Sequence, residues 1–259
     1  MCIALIAHRV HPQYSLVVAA NRDEFHSRPT APAAWWPEGI LGGRDLSAGG
    51  TWLGITRAGR VALLTNYRDG AARDPGRRSR GELVVSALLS SHSPQRVLAD
   101  LLSAGDDYQG FNLVAGHAGD LHCASNRNWM VQRIAEGVSG LSNHLLDSPW
   151  PKVERAKERM RDALREPVVD PAVLFELLND RTQAADHELP DTGIGIDRER
   201  LLSSPFIVGD TYGTRSSTVL LIDRLGLAHF IERTFDPQGQ ATGEVRFDFS
   251  IADGRAQAA

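Results

Sequence analysis

The stretch Met1-Cys2-Ile3-Ala4-Leu5-Ile6-Ala7, followed after a short break by Leu16-Val17-Val18-Ala19-Ala20-Asn21-Arg22-Asp23-Glu24, decides how the rest of the chain is read. Short apolar runs bounded by turn-forming residues read as buried strands. The intervening His11-Pro12-Gln13-Tyr14-Ser15 suits a turn, so an antiparallel hairpin is expected. In such a hairpin the start of the first strand lies beside the end of the second. Cys2 is therefore expected to face the Asn21-Arg22-Asp23-Glu24 cluster.

Removal of Met1 would give Cys2 both a thiol and a free α-amine, with ordinary pKa values of about 8.5 and roughly 7.7 to 8, so both would exchange protons near neutrality. A nucleophile activated by its own terminal amine is a recognised catalytic arrangement. The plainer reading of the same thiol is a small apolar residue opening a strand.

Composition narrows the partners. The 259 residues are 42% hydrophobic and 23% charged, as in an ordinary soluble globular protein, and a single domain over residues 1–251 with a flexible tail at 252–259 is expected. Lys and Arg number 28 against 32 Asp and Glu, a net charge of -4, so nothing favours nucleic acid as a partner. The basic stretch Arg73 to Arg80 lies among Gly, Pro and Ser and reads as a solvated loop. Cys2 and Cys123 form neither a disulfide framework nor a zinc-ligand spacing, and Cys123 reads as a buried structural thiol. The opening apolar stretch is broken at His8-Arg9, and no uncharged run approaches the roughly 20 residues of a membrane span. A cytoplasmic protein with no integral membrane segment is the expectation.

Along the chain, residues 25–50 read as loop-rich, with Pro29, Pro32 and Pro37 and the pairs Gly42-Gly43 and Gly49-Gly50. Strands are expected at Thr51 to Thr56 and Val61 to Asn66, then helices at Glu82 to Ser91 and after Ser93-Pro94. Strands resume at Phe111 to Gly116, Leu121 to Ser125 and Trp129 to Ile134. Lys152 to Arg165 is amphipathic, Asp170-Pro171 opens a helix through Leu178, and Arg181 to Ser204 reads as a long loop able to cover a pocket. Strand-like runs follow at Phe206 to Val208, Gly213 to Ile222, Leu227 to Glu232 and Glu244 to Ser250. This order suggests two stacked antiparallel sheets with helices outside them. Gly193-Ile194-Gly195 lies in a polar loop, which argues against a dinucleotide fingerprint.

Met1-Cys2-Ile3, Asn21-Arg22-Asp23-Glu24-Phe25, Gly42-Gly43-Arg44-Asp45, Gly49-Gly50-Thr51-Trp52-Leu53-Gly54, Leu64-Thr65-Asn66-Tyr67-Arg68, and Leu141-Ser142-Asn143 ahead of Asp147 to Lys152 resemble the transport and Golgi organisation 2 family, also called the NRDE family. The resemblance implies an α+β fold, the four-layer αββα sandwich of N-terminal nucleophile hydrolases. In layout the chain is also similar to the choloylglycine hydrolase and penicillin V acylase group of cysteine amidases. By that resemblance the catalytic positions are Cys2, Asp23, Asn66, Asn143 and Arg215. That group carries an Arg three residues before the Asp, where this chain has Ala20; here Arg22 adjoins Asp23.

Two functions follow. As an amidase or thioesterase, Cys2 would attack an acyl carbonyl while its α-amine moves the proton. Asp23 would hold that amine, Asn66 with a neighbouring main-chain N–H would donate to the oxyanion, Asn143 would complete the donor set or position the substrate, and Arg215 would lower the thiol pKa or bind an anion. As a carrier, the same cleft would hold a small molecule, and the family resemblance implicates haem trafficking or acyl-CoA and lipid handling. Asn21, Arg22, Arg44 and Trp52 are the candidate ligand-binding residues. Catalysis of this kind requires no cofactor and no metal; haem enters as a transported ligand, without a Cys-x-x-Cys-His attachment signal.

Overall fold

The computed structural model describes residues 2–70, 74 and 76–252, and of Cys2 the main chain. Residues 253–259 of the expected tail lie outside the described residues. The elements run β1 (Cys2–His8), β2 (Tyr14–Phe25), β3 (Thr30–Trp35), β4 (Ile40–Asp45), β5 (Leu53–Thr56), β6 (Val61–Asn66), α1 (Gly81–Leu89), α2 (Pro94–Ser103), β7 (Phe111–His117), β8 (Asp120–Ser125), β9 (Met130–Arg133), β10 (Gly137–Leu141), α3 (Pro151–Ala163), α4 (Pro171–Leu178), α5 (Ile196–Leu201), β11 (Tyr212–Asp223), β12 (Leu227–Phe235) and β13 (Ala241–Ser250). Strands β10-β1-β2-β11-β12-β13 form one sheet and β3 to β9, in sequence order, form the other.

Period-two alternation builds the layers. On β1, Ile3, Leu5 and Ala7 pack with Val153, Met160, Leu174 and Leu178 of α3 and α4. The alternate residues Ala4 and Ile6 pack with Leu53, Leu63 and Val114 of the second sheet. That sheet turns Ala62, Leu64, Leu113 and Ala115 outward against Leu83, Val84, Leu88 and Leu98 of α1 and α2. The result is the αββα sandwich: two helices, a sheet, a sheet, two helices. Cys123 sits in the central core, where burial pushes its thiol up to about 12.

Three expectations are corrected. Residues 25–50 hold two strands, β3 and β4, instead of a long loop. Pro32 is accommodated because β3 is an edge strand whose pairing with β4 shifts register between Ala31 and Ala34. Gly43 is needed because a Cβ there would fall 2.3 Å from the Trp52 ring. The Phe206 to Val208 run is not a strand; the Phe206 N–H bonds instead to the Asp180 carbonyl and that of Ile207 to the Thr214 hydroxyl. The segment read as a loop from Arg181 to Ser204 contains α5. Among the described residues no helix is long and apolar enough to cross a membrane.

Candidate functional site

Strand β2 is longer than its apolar run. It continues through Asn21, Arg22 and Asp23, all buried, because β1 and β11 flank it on both sides and their backbone groups pair with it. Cys2 lies opposite Arg22 in the β1–β2 register, and Ser216 lies opposite Arg22 on the other side. Each polar side chain here has its own compensation. Asn21 donates to the carbonyls of Leu178 (2.8 Å) and Pro205 (2.9 Å) and accepts from the Ser217 hydroxyl at 2.6 Å. Asp23 accepts from Thr214 Oγ1 at 2.7 Å. Arg22 donates to Thr30 Oγ1 at 2.9 Å, with its guanidinium 4.3 Å from the Trp52 ring centroid.

Two Asn positions arrive from elsewhere. Asn66 ends β6 in the second sheet, and Asn143 follows β10 in the first. The fully buried Asn143 donates from Nδ2 to the Asn66 carbonyl at 3.0 Å, and its own carbonyl accepts from the Arg68 N–H at 2.8 Å. The Tyr67 N–H is taken by the Gly110 carbonyl. The amides at 67 and 68 are thus spent inside the fold, whereas the Asn66 carboxamide makes no hydrogen bond among the described residues and lines the cleft.

That cleft, of ≈ 680 Å³, is bordered by Arg22, Asp23, Trp52 and Asn66 at one side and by the segment ahead of α1 at another. Four of the sequence candidates with described side chains stand outside it, the first being Asn143, fully buried and held to Asn66 and Arg68. Asn21 points instead to the carbonyls of Leu178, at the end of α4, and of Pro205. Arg44 lies 4.5 Å over the Trp36 ring. Arg215, at the register shift between Thr214 and Ser216, donates to the carbonyls of Phe25, His26 and Arg28. Its charge closes off a turn.

Residues 1–237 match the family described as Transport and Golgi organisation 2. The chain belongs to this family. A mouse relative, Transport and Golgi organization 2 homolog, is 34% identical over 275 residues, covering 97% of this chain and 99% of the relative. The Drosophila melanogaster Transport and Golgi organization protein 2 is 29% identical, covering 93% of this chain and 95% of its own length. Among solved structures, the C2A mutant of conjugated bile acid hydrolase from Clostridium perfringens superposes with a TM-score of 0.56 at 8% identity, covering 96% of this chain and 92% of that one. That likeness is one of fold, the N-terminal nucleophile hydrolase sandwich.

In this member of the Transport and Golgi organisation 2 family, burial raises the Asp23 carboxyl above its ordinary range, opposed by the charges of Lys152 and Arg22 and by the Thr214 hydrogen bond. Lys152, fully enclosed at the start of α3, donates to the Leu202 carbonyl at 2.9 Å. Glu232, buried between the sheets, is likewise raised, to about 7. It accepts the Ala33 N–H at 2.7 Å, which the β3 register shift leaves unused by β4.

Several cleft residues were missed by reading the sequence. The stretch expected to be a solvated loop contributes Arg77, Arg78 and Arg80 to the cleft wall, and Arg68 and Arg198 complete it; Arg73 lies outside the described residues. The signal was present in the arginine density of residues 73–80, but loops carry no periodicity that reveals what they face. Arg68 and Lys152 stood inside quoted motifs, and only their near-complete burial separates them from surface charges.

Proposed function

We propose that the protein is a cysteine hydrolase of the N-terminal nucleophile type acting on the amide or thioester bond of a small acylated metabolite. The observation that carries this reading is the register of Cys2 opposite Arg22, beside Asp23, at a cleft that Asn66 also lines. With Met1 removed, the Cys2 sulfur would attack the acyl carbonyl and its α-amine would take the thiol proton and pass it to the leaving amine or thiol. Water would then release the acyl group from sulfur. The uncommitted Asn66 carboxamide is suited to donate to the oxyanion, a contribution typically worth ~3 to 4 kcal/mol of barrier. Asn143 acts through Asn66, since its Nδ2 holds the Asn66 carbonyl.

The test has two parts. Intact mass of protein purified from cells reports whether Met1 is absent, and a thiol-directed acylating agent reports whether Cys2 labels near neutral pH. Cys2→Ala should then abolish hydrolysis in a screen of acyl amides and thioesters while leaving the thermal transition in place. Hydrolysis that survives Cys2→Ala removes the reading.

A second reading, carriage of haem or an acyl-CoA without cleavage in the cytoplasm, is favoured by the arginines of the cleft, which suit propionates or phosphates. Saturable binding of either to Cys2→Ala, with no turnover by the unsubstituted protein, supports it. Absence of binding by both counts against it.

A further inference from the structure

The two sheets have four outermost strands, and three of them are closed to further pairing. β3 carries Pro32 and a register shift, and β9 is only four residues long. The free edge of β10 is taken by Asp147, whose carboxylate accepts the Gly140 N–H at 2.9 Å and whose own N–H donates to the Gly140 carbonyl at 2.8 Å. Short length, proline and irregular register are means by which an edge avoids pairing with another chain. β13 uses none of them. It runs ten residues without proline, pairs with β12 in unbroken register from Gly243 to Ser250, and meets no further strand among the described residues.

The two faces of β13 differ. Val245, Phe247 and Phe249 turn inward to the core between the sheets yet stay only half-buried, the Phe249 ring centroid lying 5.0 Å from that of Trp35. β3, the edge strand opposite, packs across β12, where the Ala33 N–H reaches Glu232, and so leaves the inner face of β13 partly uncovered. Glu244, Arg246 and Asp248 alternate with these residues on the outer face and are exposed. Glu244 is met by Arg233 at 2.6 Å, and Asp248 by His229 Nδ1 at 2.5 Å. The Arg246 side chain makes no ion pair or hydrogen bond among the described residues.

We propose that β13 pairs antiparallel with β13 of a second copy of this chain, about a two-fold axis at Phe247, and joins the two six-stranded sheets into one. This pairing sets Phe247 against the partner's Phe247, Val245 against the partner's Phe249, and Arg246 against the partner's Asp248, the last two contacts each made twice by symmetry. Residues directly opposite share a face, so apolar meets apolar inside and opposite charges meet outside. An axis at Arg246 would instead set arginine against arginine and Glu244 against the partner's Asp248. An axis at Val245 would set Phe247 against the partner's Gly243, with no apolar side chain opposite its ring. The Glu-x-Arg-x-Asp order is thus complementary to itself in one register, a match that an unrelated extended segment would not share. No residue of β13 lines the cleft, so the pairing leaves it accessible.

The test is sedimentation velocity on the full chain across a dilution series. The unsubstituted protein should pass from dimer to monomer as it is diluted. Arg246→Asp and Asp248→Arg each set like charges opposite one another twice, and each should weaken association roughly 10-fold or more. The double variant Arg246→Asp with Asp248→Arg restores opposite charges in reverse and should dimerise as the unsubstituted protein does, which also shows that neither change unfolds the strand. An equimolar mixture of the two single variants should regain the dimer as a mixed pair. A protein that stays monomeric at every concentration overturns the proposal. So does a dimer that either single substitution leaves unchanged, or a pair of single variants that fails to associate on mixing.

Discussion

Two groups of arginine share one cleft and are held in opposite ways. At the end of β2, Arg22 and Arg28 are matched inside the fold, by Asp45, Glu24, the Thr30 hydroxyl and the Trp52 face. Across the cleft, Arg68 has a single carboxylate in poor alignment, and Arg198 has none among the described residues. The first group is scaffold: its charges are cancelled locally, and what they accomplish is to hold the strand end where Cys2 pairs. In the second, buried Arg68 donors lack an aligned acceptor and the Arg198 side chain stands exposed. A charge's role is therefore read from its partners rather than from its presence in a pocket.

The largest expected effect tests the buried pair of the second group. Arg68→Gln leaves Glu199 almost fully buried opposite a neutral group, and should cost ~3 to 5 kcal/mol in urea unfolding. The double substitution Arg68→Gln with Glu199→Gln should recover most of that loss. A cost near zero for the single change would mean that Glu199 is not held by Arg68, and the contrast between the two groups would collapse.

Glu232 probes the scaffold group, since Arg22 is among the charges acting on it. Its folded-state pKa, about 7, lies above the ordinary 4.5. The folded state therefore keeps a proton that the unfolded chain releases, and the associated stability is full below pH 4.5 and lost as pH rises through about 7. Glu232→Gln cannot ionise, so relative to its difference at low pH it should gain at most ~3 kcal/mol by pH 8. Unfolding curves at pH 4, 6 and 8 measure this, and parallel pH profiles for the two proteins would refute the assignment.

Arg22→Gln removes the cation over Trp52 and weakens the link to Thr30, with an expected loss of about 1 to 2 kcal/mol in urea unfolding. Unchanged stability would mean that Arg22 is not scaffold, and the two groups would no longer differ. Arg198→Gln should be the mildest change to stability, within ~0.5 kcal/mol, because the side chain is exposed and unpaired among the described residues. A large fall in its melting temperature would place Arg198 in the scaffold instead.

Much of the fold was legible because it rests on local patterns. The hairpin of β1 and β2, the helix opened by Asp170-Pro171 and the Val61 to Asn66 strand all follow from apolar periodicity and caps, and each occurs where it was read. β3 and β4 were missed because Pro32 and Gly42-Gly43 read as loop signals; their strand state depends on an edge position and on the Trp52 ring lying across Gly43. Of the candidate site, Asp23, Asn66, Arg22 and Trp52 share the cleft, while Asn21, Arg44, Asn143 and Arg215 are turned to internal partners.

What the sequence by itself determined is the layering: strands of alternating or continuous apolar residues with amphipathic helices between them have few ways to bury their faces other than a stack of sheets under helices. What only the tertiary structure decided is which charges are spent and which are kept. Arg68 meets Glu199, Arg22 meets Asp45, and Ala33 meets Glu232 through contacts between segments far apart in the chain. Periodicity is a property of neighbours along the sequence, whereas the partner of a long polar side chain is set by whichever segments the packed sheets bring within its reach.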